Sequence, residues 1–234
     1  MAESTTPPVL IVGGGTIGLA TGFELARHGT PVTIFEKNAA GRGTSWQAAG
    51  MLAPDCEIGF EELDLYALGR ESLRRWPDFA RAVEDASGQS VDYRDDGTLI
   101  VADDRDAAEE IRRLYEFQRE HGLDVEWLTG AEAREVEPFV APRLSAAVHV
   151  PADHQVDNRR LMGALKAAVQ KAGGTLHEHT EVAAIAPDAD APAVVTADGT
   201  RVEGQAVVVA AGVWSRTLDG LTPDATPPVR PVKG

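Results

Sequence analysis

The chain contains a single cysteine, Cys56, among its 234 residues. One cysteine cannot form a disulfide within the chain, so a small secreted scaffold held together by disulfides is excluded. This cysteine usage fits a reducing compartment. A chain of this length can instead bury a hydrophobic core large enough for stability, in one or two domains.

Basic residues are also scarce, because 22 Lys and Arg residues stand against 37 Asp and Glu residues. The formal net charge is −15 at pH 7. Such a charge repels nucleic-acid backbones and anionic lipid surfaces. We therefore expect no nucleic-acid partner.

Long apolar stretches are absent, since none approaches the ~20 residues that a membrane-spanning helix needs. The first residues, MAESTTPP, lack the basic region and apolar core of a secretory signal. Repeats and low-complexity tracts are absent as well. We expect a soluble cytoplasmic protein without a transmembrane segment, and peripheral membrane contact stays open.

The residue patterns of nucleophilic and metal catalysis are missing too. No Ser, His and Asp set forms a recognisable nucleophile triad, and no His or Cys cluster has the spacing of a metal site. His149, His154, His177 and His179 lack a paired acid and nucleophile, so we expect each to be structural or solvent-exposed. No catalytic residue and no metal ligand is predicted.

The strongest pattern that is present lies in residues 8–37, PVLIVGGGTIGLATGFELARHGTPVTIFEK. An apolar run, Val9–Val12, precedes a glycine-rich turn and a helical stretch that extends to His28. A second apolar run, Val32–Phe35, is closed by Glu36. A bare GxGxxG also occurs in ordinary turns, but the order strand, glycine turn, helix, strand, acid is typical of dinucleotide binding. We predict a Rossmann-like fold with a parallel sheet.

Each residue of this turn has a separate predicted task. Gly13 permits the tight turn, Gly15 lets a pyrophosphate reach the backbone, and Gly18 lets helix and strand pack closely. Amide groups at the start of the helix, at Thr16 and Ile17, favour negative charge. Glu36 is placed for a ribose 2′-hydroxyl, which argues for NAD or FAD rather than NADP.

The next segment, residues 37–54, is rich in small residues and has no helical or strand period. We predict a loop that lines a ligand, in which Arg42, Thr44 and Ser45 offer donors to phosphate oxygens. A flexible linker is the alternative, but linkers seldom carry residues such as Trp46 and Met51.

Further along, one or two amphipathic helices are predicted within residues 61–83, with a break or a new start at Pro77. Asp95-Asp96-Gly97 predicts a hairpin between Val91–Arg94 and Thr98–Val101. Asp103 or Asp104 should cap a helix that runs to His121. The remaining predictions here are a strand over 125–128 and a short helix that Thr129 opens by a capping arrangement.

The second half returns to alternating strands and helices. Strand 146–150 is followed by a helix over 158–172 and a third parallel strand over 175–177. Residues 178–185 continue that strand or start another, and Asp198-Gly199 predicts a hairpin turn. The apolar run 206–212 has the pattern of a central parallel strand.

Several of these motifs together resemble the FAD-binding amino-acid oxidases of the D-amino-acid oxidase superfamily. They are Gly13–Gly18, Glu36, Arg42–Ser45 and Ala48–Met51. Ala206–Gly212 is similar to the second flavin fingerprint of that family, and the Val-Trp-Ser that follows is similar to glycine oxidase of the thiamine-synthesis type.

The resemblance implies FAD as the cofactor. It places the main chain of Val182 at the adenine, and Met51 beside the flavin ring as the best candidate for a substrate contact, although both are also compatible with plain packing. Relatives with covalent flavin carry a histidine where this chain has Gln47, which implies non-covalent FAD. The predicted cofactor-binding residues are Gly13, Gly15, Thr16, Ile17, Gly18, Glu36, Lys37, Arg42, Gly43, Thr44, Ser45, Gln47, Ala49, Gly50, Met51, Val182, Ala211, Gly212 and Trp214.

The same resemblance implies a domain order. Residues 7–84 and 149–218 form the two parts of an FAD-binding domain, and residues 85–148 form an inserted α+β segment on the substrate side. Residues 219–234 begin a substrate domain whose remainder, with the substrate-carboxylate ligand, is missing. The chain therefore resembles the N-terminal part of such an enzyme.

The implied reaction is oxidation of glycine or another small amino acid or amine to the imine. Hydride passes to flavin N5, and molecular oxygen reoxidises the flavin to give hydrogen peroxide. The resemblance to the thiamine-synthesis type implies a role in thiamine biosynthesis. The alternatives are a D-amino-acid dehydrogenase with a membrane acceptor and a catalytically inactive FAD-binding fragment. An NAD dehydrogenase domain is a weaker alternative, because it assigns no function to the loop from Arg42 to Met51 or to the Ala-Ala-Gly turn. Whether the protein forms a homo-oligomer stays open.

Overall fold

The computed structural model describes residues 6–59, 62–186, 191–226 and 228–229. The chain divides into two compact units, Met1–Ala48 with Ala82–Val91 and Asn158–Gly234, and Ala49–Arg81 with Asp92–Asp157. The predicted insertion, residues 85–148, lies partly in the first unit and mostly in the second. The final Pro-Val-Lys-Gly, on which the predicted start of a further domain depends, lies outside the described residues, as do residues 1–5.

The regular elements follow the chain order below, with two 3₁₀ helices, Gly212–Thr217 and Pro223–Ala225, near the end. They are β1 (Val9–Val12), α1 (Thr16–Arg27), β2 (Val32–Phe35), α2 (Thr44–Gln47), β3 (Met51–Leu52), α3 (Leu63–Ser87), β4 (Thr98–Ala102), α4 (Arg105–Glu120), β5 (Glu126–Leu128), α5 (Gly130–Val136), β6 (Ala146–Val150), β7 (His154–Gln155), α6 (Asn158–Lys171), β8 (Thr175–His177), β9 (Val182–Ala186), β10 (Ala193–Thr196), β11 (Arg201–Glu203) and β12 (Ala206–Val209).

The first unit contains a parallel sheet in the order β12-β1-β2-β8. Val9 is in register with Ala206 on one side and with Val32 on the other. All four residues of β1 are buried, as expected for a strand covered on both faces. The predicted parallel α/β fold and its third strand, β8, are therefore confirmed.

The predicted central position of β12 is wrong for the described residues, where this strand lies at the edge of the sheet. Its first residue, Ala206, is exposed and its three valines are only half-buried. The apolar run shows that β12 pairs within a sheet, but strand composition does not decide which strand is central. That order depends on which elements cover each face.

Helices α1 and α6 pack against each other in the first unit. Leu19, Phe23 and Ala26 of α1 recur at helical spacing and are buried, as are Leu161 and Leu165 of α6. The apolar stripe of an amphipathic helix is what drives such packing.

A second, antiparallel sheet of the first unit has the order β11-β10-β9. The predicted turn at Asp198-Gly199 joins β10 to β11, and Gly199 has a φ of 87°. Residues 178–185 thus contain a new strand, β9, that leaves the parallel sheet. The Asp198 carboxylate accepts hydrogen bonds from the Thr196 hydroxyl and the Thr200 amide, which lower its pKa to about 2.

The second unit contains an antiparallel sheet in the order β4-β6-β5, against which α4 packs. The predicted hairpin around Gly97 is wrong, because β4 pairs with β6 and Arg94 instead forms an isolated bridge with Gln155. Asp92 has a φ of 52°, which interrupts any extended run before the turn. The strongly buried β6 offers β4 a larger apolar face than a polar local partner does.

The helices of the second unit follow their terminal signals closely. Asp104, one of the two predicted caps, accepts a hydrogen bond from the Ala107 amide at 2.8 Å. Thr129 and Glu132 form the predicted capping box of α5. Residues 63–87 form one helix that continues through Pro77, so the predicted break or new start at this proline is wrong. In the described part of the chain, no helix is both long enough and apolar enough to cross a membrane.

Candidate cofactor site

A cavity of about 380 Å³ opens in the first unit where β1, β2 and β12 end. Ligands of open α/β sheets bind at this edge, outside the carboxyl ends of the strands. Most of the predicted cofactor residues line it. They are Gly13, Gly15, Thr16, Ile17, Glu36, Lys37, Arg42, Gly43, Thr44, Ser45, Val182, Ala211, Gly212 and Trp214.

The turn between β1 and α1 contains two glycines that the protein itself requires. Gly13 has a φ of 111°, and a Cβ atom there would lie 2.4 Å from the Ala210 carbonyl oxygen. A Cβ atom on Gly18 would lie 1.9 Å from the Gly13 carbonyl oxygen. Gly18 is buried beneath the turn and does not line the cavity, so it acts through packing.

Gly15 differs, because nothing in the protein demands a glycine there. Its φ of −81° suits any residue, and the nearest atom to an added Cβ is the Ser45 hydroxyl at 3.2 Å. The space that a side chain would fill opens on the cavity. A ligand that approaches the backbone closely explains a glycine at this position.

The start of α1, at Gly15, Thr16 and Ile17, faces the cavity. Gly15 caps the helix without a side-chain hydrogen bond, and the first turn contains no acidic residue. The Thr16 amide donates to the Ser45 hydroxyl at 3.0 Å. The first amides of a helix have no acceptor within it, and the helix dipole adds positive potential, so this end suits a phosphate group.

Glu36 is held rigidly at the end of β2. Its carboxylate accepts hydrogen bonds from the Gly14 amide at 2.8 Å and from the Asn38 amide at 2.9 Å. Each oxygen retains a lone pair for a further donor. The Glu36 carboxylate can therefore accept a hydrogen bond from a ribose hydroxyl group.

The predicted loop over residues 37–54 contains two short regular elements, α2 and β3. Asn158 donates from Nδ2 to the Ser45 carbonyl oxygen at 2.7 Å and thereby ties α2 to the start of α6. The Arg42 guanidinium lies over the Trp46 ring, with 3.8 Å between Cζ and the ring centroid. Sequence position alone does not assign Trp46 to the site, because the fold decides which side chain lies against its ring.

Five predicted residues do not line this cavity. Gln47 lies on α2 in the same unit, while Ala49, Gly50 and Met51 belong to the second unit. Met51 pairs with Gln155 there and is 48% exposed. The fifth is Gly18. The cavity also includes residues that were not predicted from the sequence. Each of them lies close in sequence to a predicted residue. They are Val12, Phe35, Asn38, Gly41, Thr180, Glu181, Ala210, Thr217 and Leu218.

The histidines make structural contacts. His154 forms a hydrogen bond through Nδ1 with the Tyr93 hydroxyl. His149 lies 3.1 Å from a carboxylate oxygen of Glu126. His177 stacks on Phe35, with 5.3 Å between ring centroids. None of these contacts assembles a nucleophile triad within the described residues.

A buried polar network lies in the second unit. Asp153 has no exposed surface, and its carboxylate accepts the amides of Asp55 and Cys56, each at 3.0 Å. The Asp55 carboxylate accepts hydrogen bonds from the Tyr66 hydroxyl and from Arg70. Burial raises the pKa of Asp153, and burial with the nearby carboxylates raises the pKa of Cys56 and of Tyr66 to about 12. Cys56 is therefore a neutral thiol.

Known proteins match most of this chain. The family model of FAD dependent oxidoreductases, DAO, matches residues 8–234. Glycine oxidase from Geobacillus kaustophilus (strain HTA426) is 38% identical over 227 residues, which are 97% of this chain and 59% of that protein. The bifunctional protein ThiO/ThiG from Synechocystis is 32% identical over 98% of this chain and 32% of its own length.

Solved structures agree with this result. The crystal structure of glycine oxidase from Geobacillus kaustophilus superposes with a TM-score of 0.84 over 91% of this chain and 57% of that chain. The present chain thus spans less than two thirds of these relatives. The glycine turn, the fixed acid at Glu36, the anion-binding helix start and the space at Gly15 fit the phosphates and ribose of FAD. The chain belongs to the DAO family of FAD-dependent oxidoreductases, and its cofactor is FAD.

Proposed function

We propose that this chain is the cofactor-binding portion of an FAD-dependent oxidase that acts on glycine or another small amino acid or amine. The convergence of two glycine-bearing turns, at Gly13 and at Gly212, on one cavity carries the proposal. The similarity to proteins named glycine oxidase supports the choice of substrate. The ThiO/ThiG relative supports a link to thiamine biosynthesis.

Specific residues of the chain would hold the cofactor. Gly15, Thr16 and Ile17 at the start of α1 and the side chain of Arg42 are assigned to the phosphates, and Glu36 is assigned to a ribose hydroxyl. Binding is non-covalent in this proposal, because Gln47 has no imidazole nitrogen that could form a bond to flavin. The remaining assigned residues are Gly18, Lys37, Gly43, Thr44, Ser45, Ala49, Gly50, Met51, Val182, Ala211, Gly212 and Trp214.

Bound FAD would supply the redox chemistry, as the acceptor of a hydride from the substrate Cα and the donor of two electrons to molecular oxygen, which would give hydrogen peroxide. The task of the protein is to orient the Cα–H bond and keep the substrate amine neutral. This division of labour needs no protein base. Met51 is proposed as a substrate contact, since a thioether packs well against irregular apolar surfaces.

The visible spectrum of the purified chain tests this proposal. A yellow protein that bleaches when glycine is added without air supports the oxidase. Glycolate serves as the matched control, because it keeps the carboxylate but replaces the amine with a hydroxyl group. A yellow protein that never bleaches contradicts turnover by this chain and favours a binding-only portion, and a colourless protein contradicts the site.

The fate of the electrons separates the oxidase from a dehydrogenase. Peroxide formed from glycine in air supports the proposal. Reduction of an artificial dye without peroxide favours a D-amino-acid dehydrogenase that passes electrons to a membrane acceptor.

A further inference from the structure

Two positively charged side chains of the cavity each lie on a tryptophan ring. The Lys37 ammonium lies 4.0 Å from the centroid of the Trp214 ring, and the Arg42 guanidinium carbon lies 3.8 Å from that of Trp46. Lys37, Arg42 and Trp214 all line the cavity. Trp46 is half-buried on α2, and its ring also contacts the Arg159 guanidinium, with 5.1 Å between Cζ and the ring centroid.

Neither cation forms an ion pair with a carboxylate of the described residues, although such pairs are frequent elsewhere in this acidic chain. The Lys166 ammonium nitrogen lies 2.6 Å from a carboxylate oxygen of Glu178, and a guanidinium nitrogen of Arg70 lies 2.9 Å from a carboxylate oxygen of Asp55. Inside the cavity the Glu36 carboxylate accepts the amides of Gly14 and Asn38, and Glu181 also lines the cavity without an ion pair to Lys37 or Arg42. Neither cavity cation is therefore paired with a carboxylate among the described residues.

The nature of the partner determines what each cation can do. A carboxylate attracts a cation but neutralises it, so that an incoming anion meets little net charge. An indole ring attracts a cation through its quadrupole and carries no net charge. A cation held in this way is positioned and still attracts an anion. In a chain with a net charge of −15, this matters for a ligand with a negatively charged pyrophosphate.

We propose that Trp46 and Trp214 are positioning residues for cofactor binding, because they hold Arg42 and Lys37 un-neutralised for the phosphates of FAD. The inference rests on the cofactor site proposed above, but not on the identity of the substrate. It assigns a role to Trp46, and it adds to Trp214 the task of holding a cation.

The test measures the rate of FAD association by flavin fluorescence in stopped flow, from about 20 mM to about 500 mM NaCl. Salt screens exposed charges, so an electrostatic contribution disappears at the upper limit. We expect Trp214→Leu and Trp46→Leu each to slow association roughly fivefold at low salt, the size that a single cation–π contact supports. Both variants should converge on the wild-type rate at high salt.

Conservative variants keep the test independent of folding defects. Trp214→Phe and Lys37→Arg retain a ring and a cation, and should recover most of the low-salt rate. Lys37→Met removes the cation itself but leaves the indole in place, and should slow association at low salt at least as much as Trp214→Leu. The double variant of Lys37→Met and Trp214→Leu should be no slower than Lys37→Met alone, because the indole acts through the cation.

Arg112→Met is the matched control for Lys37→Met. Arg112 also lies over an indole, 4.3 Å from the Trp127 ring centroid, but it belongs to the second unit and does not line the cavity. Its removal should leave the low-salt rate and the salt dependence unchanged.

Two results would overturn the proposal. A loss in the tryptophan variants that persists unchanged at high salt would show that the rings act by packing alone. Failure of the wild-type protein to bind FAD would refute both this proposal and the assignment of the cofactor site. Wild-type protein that binds FAD but does not oxidise glycine would refute only the proposed reaction, since association is measured without substrate.

Discussion

The carbonyl oxygen of Ala210 lies 2.4 Å from the position that a Cβ atom would occupy on Gly13. The turn after β1 and the turn after β12 therefore lie against each other, although they are almost two hundred residues apart in the sequence. The Ala210 amide also donates to the Val12 carbonyl oxygen at 2.8 Å. The two turns that form the cavity therefore share one backbone junction.

Gly13→Ala should destabilise the protein by about 2 kcal/mol or more, because a positive φ and a backbone clash both oppose the new methyl group. Urea unfolding provides the measurement. Gly29→Ala is the matched control, since Gly29 has a φ of 83° but no atom within 4 Å of its added Cβ. Equal losses in the two variants would show that the clash with Ala210 is relieved at no cost.

Gly15→Val should abolish flavin retention while the protein stays folded. The valine fills the space assigned to the pyrophosphate, and within the protein an added Cβ meets only the Ser45 hydroxyl at 3.2 Å. Absorbance at flavin wavelengths after gel filtration reports retention, and unfolding in urea reports the fold. Normal retention in this variant would contradict the placement of the phosphates.

Cys56 should resist alkylation in the folded protein. Burial and the carboxylate of Asp153 raise the pKa of its thiol to about 12, so the reactive thiolate is rare at about pH 8. Mass spectrometry after iodoacetamide treatment should find little modification until urea is added. Rapid alkylation of the native chain would contradict the buried network around Asp153.

Asp153→Ala should cost about 3 kcal/mol in the free energy of unfolding, because it leaves the buried amides of Asp55 and Cys56 without an acceptor. Asp124→Ala removes an exposed aspartate of the same unit and should change little. Similar urea midpoints for the two variants would refute the structural role of Asp153.

Glu178 should stabilise the first unit in a pH-dependent way. A hydrogen bond from Lys166 lowers the pKa of its carboxyl, and the Ala40 amide adds a second donor. A group with a depressed folded pKa contributes stability that is present above its unfolded pKa and is lost as pH falls through the folded value. Glu178→Gln should therefore lower the unfolding free energy by about 1 kcal/mol at neutral pH.

The difference between wild type and Glu178→Gln should shrink as pH falls below the ordinary glutamate pKa of 4.5. Urea unfolding at a series of pH values measures it. In a Lys166→Met background the same substitution should show a smaller difference at neutral pH. A difference that grows on acidification would have the wrong sign for this ion pair.

Several features were predictable because they depend on neighbours in the sequence. The β1-turn-α1-β2 order follows from local periodicity, glycine spacing and the acid at residue 36. Asp104 and Thr129 cap their helices through groups only three residues away. The sequence by itself therefore determined the Rossmann-like unit, most of the residues around its cavity and several helix ends.

Other features depended on partners that are distant in the chain. The apolar sequence of β4 does not predict that it pairs with β6, and the apolar sequence of β12 does not predict that this strand lies at the edge of its sheet. Arg42 and Lys37 are recognisable as donors in the sequence, but only the folded backbone puts an indole ring beneath each of them. Tertiary structure decided these pairings because they are selected by which surfaces bury each other, and periodicity records that a surface is buried but not what covers it.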